Sequence, residues 1–387
     1  MRSFTLLFNL LIITIFFGCT DDPAVPSDTY ACDIPDGAQT DHPDAGRLQM
    51  ALEEATANGL IGQVAVIRNN EGTFMGAAGK ADLASDIDME VCHRMIIASC
   101  TKTFTATLIF QLAEEGLIDL NEPVSTYLPA AWIARTGNAH RASILQVLSH
   151  RSGIPDYYTA RFELDRLDKF SNHFTGLDIL AYTDDLEPEF EPGTTYSYSN
   201  TNYLLLGLVI EQILNTNLDN AFREAFFEPL GMASASFPDG SPDDMIKGYG
   251  AITDDRVIET ERLYGDELGS GDGGLVMNTY DLATFIRALG SGQLLSPTSF
   301  AQMTDWFDLP DYWTDSDYGF SRNGFGLEYY QTPHGPAFGH FGGVDGFNSI
   351  MLYFPEQQTT FATMINGAVD FEGRLQFYQE AQRILFE

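Results

Sequence analysis

Basic residues are scarce in this 387-residue chain. It holds 20 Lys and Arg against 55 Asp and Glu, for a formal net charge of −35. Phosphate backbones are bound by clustered Lys and Arg, so this balance excludes a nucleic-acid partner. The only lysines are Lys80, Lys102, Lys169 and Lys247, so a lysine inside a motif is less easily surface filler. Cysteine is equally scarce, at four residues, and no Cys/His spacing resembles a zinc site. No serine stands in the G-x-S-x-G setting of a nucleophile elbow, which excludes that class of hydrolase. What is abundant is core material: 44% of residues are hydrophobic and 12% aromatic, enough for two lobes or one large α/β unit.

The N-terminus reads as a targeting segment. Arg2 supplies a short positive region, and the apolar run Phe4 to Phe17 is too short to span a bilayer comfortably. Gly18-Cys19 resembles the cleavage site of a bacterial lipoprotein signal, with Phe16 where leucine is usual. The expectation is a signal peptide over 1–18, lipid on Cys19, a tether over 19–40 and a catalytic domain over 41–387. An ordinary secretory signal is the alternative. Either takes the protein out of the cytoplasm, and the lipid anchor would place it in the bacterial cell envelope, with the membrane as a partner only through that anchor. If Cys19 carries lipid, Cys32, Cys92 and Cys100 allow one disulfide and three pairings. Cys32–Cys92 is the pairing to test, and Cys100, inside a helix start, reads as a buried free thiol.

Periodicity predicts a helix over Arg47–Asn58 and strands over Gly62–Arg68 and Thr73–Gly79, around a turn at Asn69 to Gly72. A long helix follows Ser99, with Phe104, Leu108 and Leu112 at i, i+4 spacing and Gly116 as its stop. From about 118 to 240 the chain reads as helix-rich, including a short helix capped by Ser143 and a buried one over Asn202–Leu214. Thr279–Leu289 is amphipathic. Strands are expected at Gly324–Tyr330, Ala337–His340, Phe347–Phe354 and Thr360–Asn366, and a last helix over Phe371–Phe386. A helix-rich insert therefore interrupts an α+β lobe whose strands come from both ends of the chain.

Three short segments carry chemistry. Ser99-Cys100-Thr101-Lys102 is S-x-x-K at a helix start, which puts a hydroxyl and an amine on one face, near the positive end of the helix dipole. The bland reading is a capping serine and a solvated lysine. Tyr198-Ser199-Asn200 precedes the buried helix. A tyrosine beside a cation can shuttle a proton, and an amide can hold a substrate amide from both ends, although Asn200 also suits a helix N-cap. Gly339-His340-Phe341-Gly342-Gly343 reads as an edge strand open to a ligand backbone, or as a plain hairpin turn. Gly269 to Gly274 fits G-x-G-x-x-G, but it follows a charged loop rather than a strand, which rules out dinucleotide binding.

Taken together, Ser99-x-x-Lys102, Tyr198-x-Asn200 and His340-x-Gly342 stand in the order and separation of the class C β-lactamase and DD-peptidase family of penicillin-recognising serine hydrolases. Ser149-His150-Arg151-Ser152-Gly153-Ile154-Pro155 resembles that family's "LLSHTSGLP" segment. Gly273-Gly274-Leu275 with Asp281-Leu282-Ala283 resembles its "GGL…DLA" segment. The resemblance runs from about residue 45 to the end. It implies a DD-peptidase/β-lactamase-like α+β fold, an antiparallel sheet flanked by helices plus a helix-rich lobe.

The resemblance also implies roles. Ser99 would form an acyl-enzyme, Lys102 activate it, and Tyr198 pass the proton to the leaving group. Asn200, His340 and Gly342 would contact substrate, and the N–H groups of Ser99 and Gly343 would form the oxyanion hole. No metal or organic cofactor is called for. The family's K-T-G is replaced by His340-Phe341-Gly342, which removes a lysine and a hydroxyl that meet a substrate carboxylate. The expectation is a secreted serine hydrolase acting on a small-molecule or peptide acyl substrate, an amide or ester, as a D-alanyl carboxypeptidase or esterase does. The alternatives are a true class C-like β-lactamase and a non-catalytic binding protein on the same fold.

Overall fold

The computed structural model describes residues 30, 32, 34 and 38–387, apart from 169–173, 185, 238–244, 254–255, 261–269, 316–317 and 369–371. Nine antiparallel strands form the principal sheet: β1 (Gly62–Arg68), β2 (Thr73–Asp82), β3 (Ile87–Asp88), β4 (Phe307–Asp308), β5 (Phe320–Asn323), β6 (Glu328–Thr332), β7 (Gly335–Val344), β8 (Phe347–Phe354) and β9 (Thr359–Ile365). Their spatial order is β3-β2-β1-β9-β8-β7-β6-β5-β4, so β1 from one end of the chain pairs with β9 from the other, Gln63 opposite Ile365.

Both faces of this sheet are covered, and the period-two alternation of a strand sorts its side chains between them. Ala65 and Ile67 join Leu48 and Leu52 of α1 (Ala45–Ala57) and Phe377 and Tyr378 of α5 (Glu372–Phe386). Val64 and Val66 face the other way, into the larger core built on α2 (Thr101–Glu114), α3 (Asn200–Leu214) and α4 (Thr279–Gly290). That is why β1 reads as a continuous apolar run although its neighbours are antiparallel. Short helices occupy much of the stretch between α2 and α3, among them Ile144–Leu148, whose N-cap Ser143 forms a capping box with Gln146. No helix among the described residues is long and apolar enough to cross a membrane.

Several expectations need correction. The Gly324–Tyr330 segment is a turn leading into β6: Gly324 N–H closes on Leu327 O at 2.8 Å, and Gly326 has φ +84°. Helix α2 is buried almost all round rather than along one stripe; its threonines satisfy their hydroxyls inside the core, Thr103 on Gly326 O (2.8 Å) and Thr105 on Gly271 O (2.6 Å). The tether is shorter than 19–40. Tyr30 is buried edge-on against His93, Cys32 is disulfide-bonded to Cys92, and Thr40 exchanges hydrogen bonds with the backbone of Met75. These contacts make Tyr30, Cys32 and Thr40 part of the fold. Cys100 is the buried free thiol. The signal residues and Cys19 lie outside the described residues.

Candidate active site

A single 3₁₀ turn, Ala98–Cys100, carries Ser99 and leads directly into α2. Ala98 has φ +46°, a left-handed conformation that costs a non-glycine residue about 1 kcal/mol and is held here by its surroundings. Ile97 supplies those restraints: its N–H donates to Leu275 O at 2.9 Å, and its carbonyl accepts Cys100 N–H (3.2 Å) and Ser349 Oγ (2.6 Å). One helical turn on, the wholly buried Lys102 sends Nζ to three acceptors: Ser99 Oγ (3.0 Å), Asn200 Oδ1 (2.8 Å) and Asp272 O (2.7 Å). The i, i+3 spacing of the motif thus places amine and hydroxyl in hydrogen-bond contact.

Tyr198 lies beside them, with Lys102 Nζ 5.1 Å from its ring centroid and the His150 imidazole stacked on it at 4.2 Å. Burial, with Glu328, Asp272 and Asp156 nearby, holds the Tyr198 phenol well above its ordinary range, although the Ser99 hydroxyl pulls the other way. This corrects the expectation of a cation-lowered tyrosine: Tyr198 is present as the neutral phenol. His150 is also kept neutral. Burial comes first, then the charges of Lys102 and His340, in pushing its pKa well below the usual imidazole value. The His150 Nδ1 accepts Ser199 N–H at 3.1 Å, which fixes the start of α3.

Asn200 is the first residue of α3, and Ser199 is its N-cap position, one residue earlier than the sequence implied. Its side-chain amide is already engaged: Oδ1 accepts from Lys102 and Nδ2 donates to Asp156 Oδ2 at 3.1 Å. Each end still keeps one further site for a substrate, the second lone pair of Oδ1 and the second N–H of Nδ2. Asp156 also accepts the Asn200 N–H (3.2 Å), and desolvation pushes its carboxyl up to about 6.

Ser99, Tyr198, Asn200, Asp272 and Gly343 line one cavity of about 460 Å³, with Glu163 and Asp345 at its rim. Strand β7 is interior to the sheet, not an edge, but β6 pairs with it only up to Glu328 opposite Gly339, leaving residues 340–344 open on that side. Phe341 N–H points to the open side, where it donates to Glu328 Oε2 at 2.8 Å. Strand alternation sends Gly343 N–H the same way, toward the cavity. Gly343 and Ser99 thus share the cavity wall where an oxyanion hole was expected.

His340 and Gly342, expected to touch substrate, do not line the cavity. Gly342 faces the nucleophile turn, where a Cβ would stand 2.5 Å from Ser349 Oγ and 3.1 Å from Cys100 N. His340 is 3% exposed, its Nδ1 set 2.6 Å from Phe341 O, and burial keeps it below the usual imidazole range. The Phe341 ring turns to the opposite face of the sheet, against Arg374 at 4.9 Å.

The beta-lactamase family model matches residues 51–383. The chain belongs to the beta-lactamase family. Over 339 residues it is 26% identical to Penicillin-binding protein 4* of Bacillus subtilis (strain 168), covering 84% of this chain and 72% of that protein. Protein flp of Staphylococcus aureus (strain NCTC 8325 / PS 47) is 29% identical over 174 residues, 45% of this chain. That match spans about a third (34%) of the relative's length. Among solved structures, a D-stereospecific amidohydrolase from Streptomyces sp. has a TM-score of 0.74 at 29% identity, covering 86% of this chain and 97% of that one. A penicillin-binding protein from Bacillus halodurans has a TM-score of 0.72 at 24% identity, covering 86% and 98%.

Within this beta-lactamase-family fold of serine hydrolases, sequence reasoning passed over Asp156, His150 as a ring support, Asp272, Tyr157 and Glu328. Asp156 directly follows the Ser149–Pro155 segment and Asp272 directly precedes Gly273-Gly274, so both stood beside segments already singled out. The signal was an acidic residue next to a matched segment. What it would bond to was not legible.

Proposed function

We propose that this serine hydrolase acylates Ser99 with the acyl group of an amide, ester or short peptide. The contact that carries this reading is the 3.0 Å approach of Lys102 Nζ to Ser99 Oγ at the wall of the cavity. In the reactive form the neutral amine takes the Ser99 proton as Oγ attacks the acyl carbon, and the N–H groups of Ser99 and Gly343 face the developing oxyanion. One such donor is worth about 3 kcal/mol in the transition state. Tyr198, as a phenol, has a proton to hand to the leaving group.

Carboxylate-ended substrates, including β-lactams and D-alanyl termini, are disfavoured on this reading. Among the described residues that line the cavity none is Lys or Arg, whereas Glu163, Asp272 and Asp345 are. Intact mass and turnover of wild type and Ser99→Ala, with a penicillin and with a neutral activated ester, test the proposal. Ser99-dependent turnover of the ester with little penicillin adduct supports it. Rapid Ser99-dependent penicillin hydrolysis would favour the β-lactamase alternative, and no Ser99-dependent reaction with either would favour a binding protein. We also propose export and lipid attachment at Cys19, supported by the leader residues; fatty-acid labelling that survives Cys19→Ser would refute it.

A further inference from the structure

We propose that the substrate carries a protonated amine on its acyl portion and that the Asp272 carboxylate receives it. This rests on the hydrolase reading of the same cavity. Asp272 lines the cavity beside Ser99 and Asn200 yet is only 3% exposed. Its two ends are fixed. The backbone carbonyl accepts from Lys102, and Oδ2 accepts the Tyr157 hydroxyl at 2.7 Å. The preceding Gly271 is packed so tightly on α3 that a Cβ would come within 2.8 Å of Tyr203 O and 2.9 Å of Gly207 Cα. The remaining oxygen, Oδ1, is buried and has no hydrogen-bond partner among the described residues. Leaving an anionic acceptor unpaired in a desolvated site is costly, so an ammonium donor is the ligand chemistry it fits.

The surroundings point to the same charge. At the rim, Glu163 and Asp345 share Arg166, which lies 2.7 Å from each while its side chain is only 3% exposed. Among the described residues, two carboxylates against one buried guanidinium leave that rim net negative. Tyr157 and Tyr158 line the same cavity. A cavity of one sign concentrates ligands of the other and turns away its own, so it admits an amine and repels a carboxylate. The matching class is an α-aminoacyl amide or ester, or the N-terminal residue of a short peptide.

The test is binding to the Ser99→Ala chain by calorimetry, near pH 6, with phenylalaninamide and N-acetylphenylalaninamide of both configurations. This readout needs no turnover, so it can fail or succeed independently of the hydrolase reading, which the ester assay decides. The free amine is expected to bind at least tenfold tighter than the acetylated amide, about 1.4 kcal/mol. Adding Asp272→Asn should erase that ratio. Equal or tighter binding of the acetylated ligand, no binding of either at millimolar concentration, or a ratio that survives Asp272→Asn would each overturn the proposal. Should the double variant fail to fold, the comparison of the two ligands on Ser99→Ala still decides.

Discussion

Replacing Gly342 by alanine should disable the nucleophile without touching it. The new methyl would stand 2.5 Å from Ser349 Oγ and 3.1 Å from Cys100 N, and closer still to Ile97 O. Ordinary van der Waals contact begins near 3.4 Å, so the Ile97 carbonyl must retreat by about 1 Å. That carbonyl accepts the Cys100 N–H that closes the turn bearing Ser99, and it also accepts from Ser349. The displacement therefore reaches Ser99 itself, where about 1 Å of misplacement costs on the order of 10²-fold in rate. Overpacking adds a stability loss of about 1–3 kcal/mol. The assay is single-turnover acylation by an activated ester, with the melting temperature measured alongside. Gly46→Ala, in α1 with nothing within 4 Å of its added methyl, is the control. Gly342→Ala that folds and acylates within threefold of wild type would refute the claim that this glycine sets the position of the nucleophile turn.

Lys102→Met, close in volume, should keep the fold while acylation falls more than about 10³-fold; retained acylation would remove Lys102 from the role of base. Asp156, raised to about 6, holds Asn200 as a carboxylate only above that pH, so kcat/KM should fall as pH drops through about 6. Asp156→Asn should abolish that limb in a pH–rate profile, and an unchanged limb would refute the assignment. The stability sign is opposite. A carboxyl raised in the fold stabilises it when protonated, so Asp156 and Asp281, also raised to about 6, should add stability as pH falls from about 6 to 4 and lose it again on return. Removing the Cys32–Cys92 bridge, which closes a loop of 60 residues, should lower stability by up to about 4 kcal/mol while sparing low-temperature turnover, as read by thermal melts with and without reductant.

Much of the fold was legible where the signal is local. Strands β1 and β8 fall on the expected residues, and α4 begins where its amphipathic period begins, with Leu282, Phe285, Ile286 and Leu289 inward. Ser99 and Lys102 were legible for the same reason, since three residues along a helix fix which side chains meet. The Gly324–Tyr330 strand failed because a left-handed glycine and a single turn bond outweighed β-forming side chains. Tertiary structure alone decided the rest: that Lys102 meets Asp272 across 170 residues of sequence, that Asn200 is held by Asp156, and that Gly342 serves packing rather than substrate. It also decided that Tyr198 stays a phenol, because that depends on how deeply the fold buries the ring and on which carboxylates it brings near. Helix and strand periods act between neighbours in sequence, whereas the charge and hydrogen bonding of a buried site are set by groups that only folding brings together.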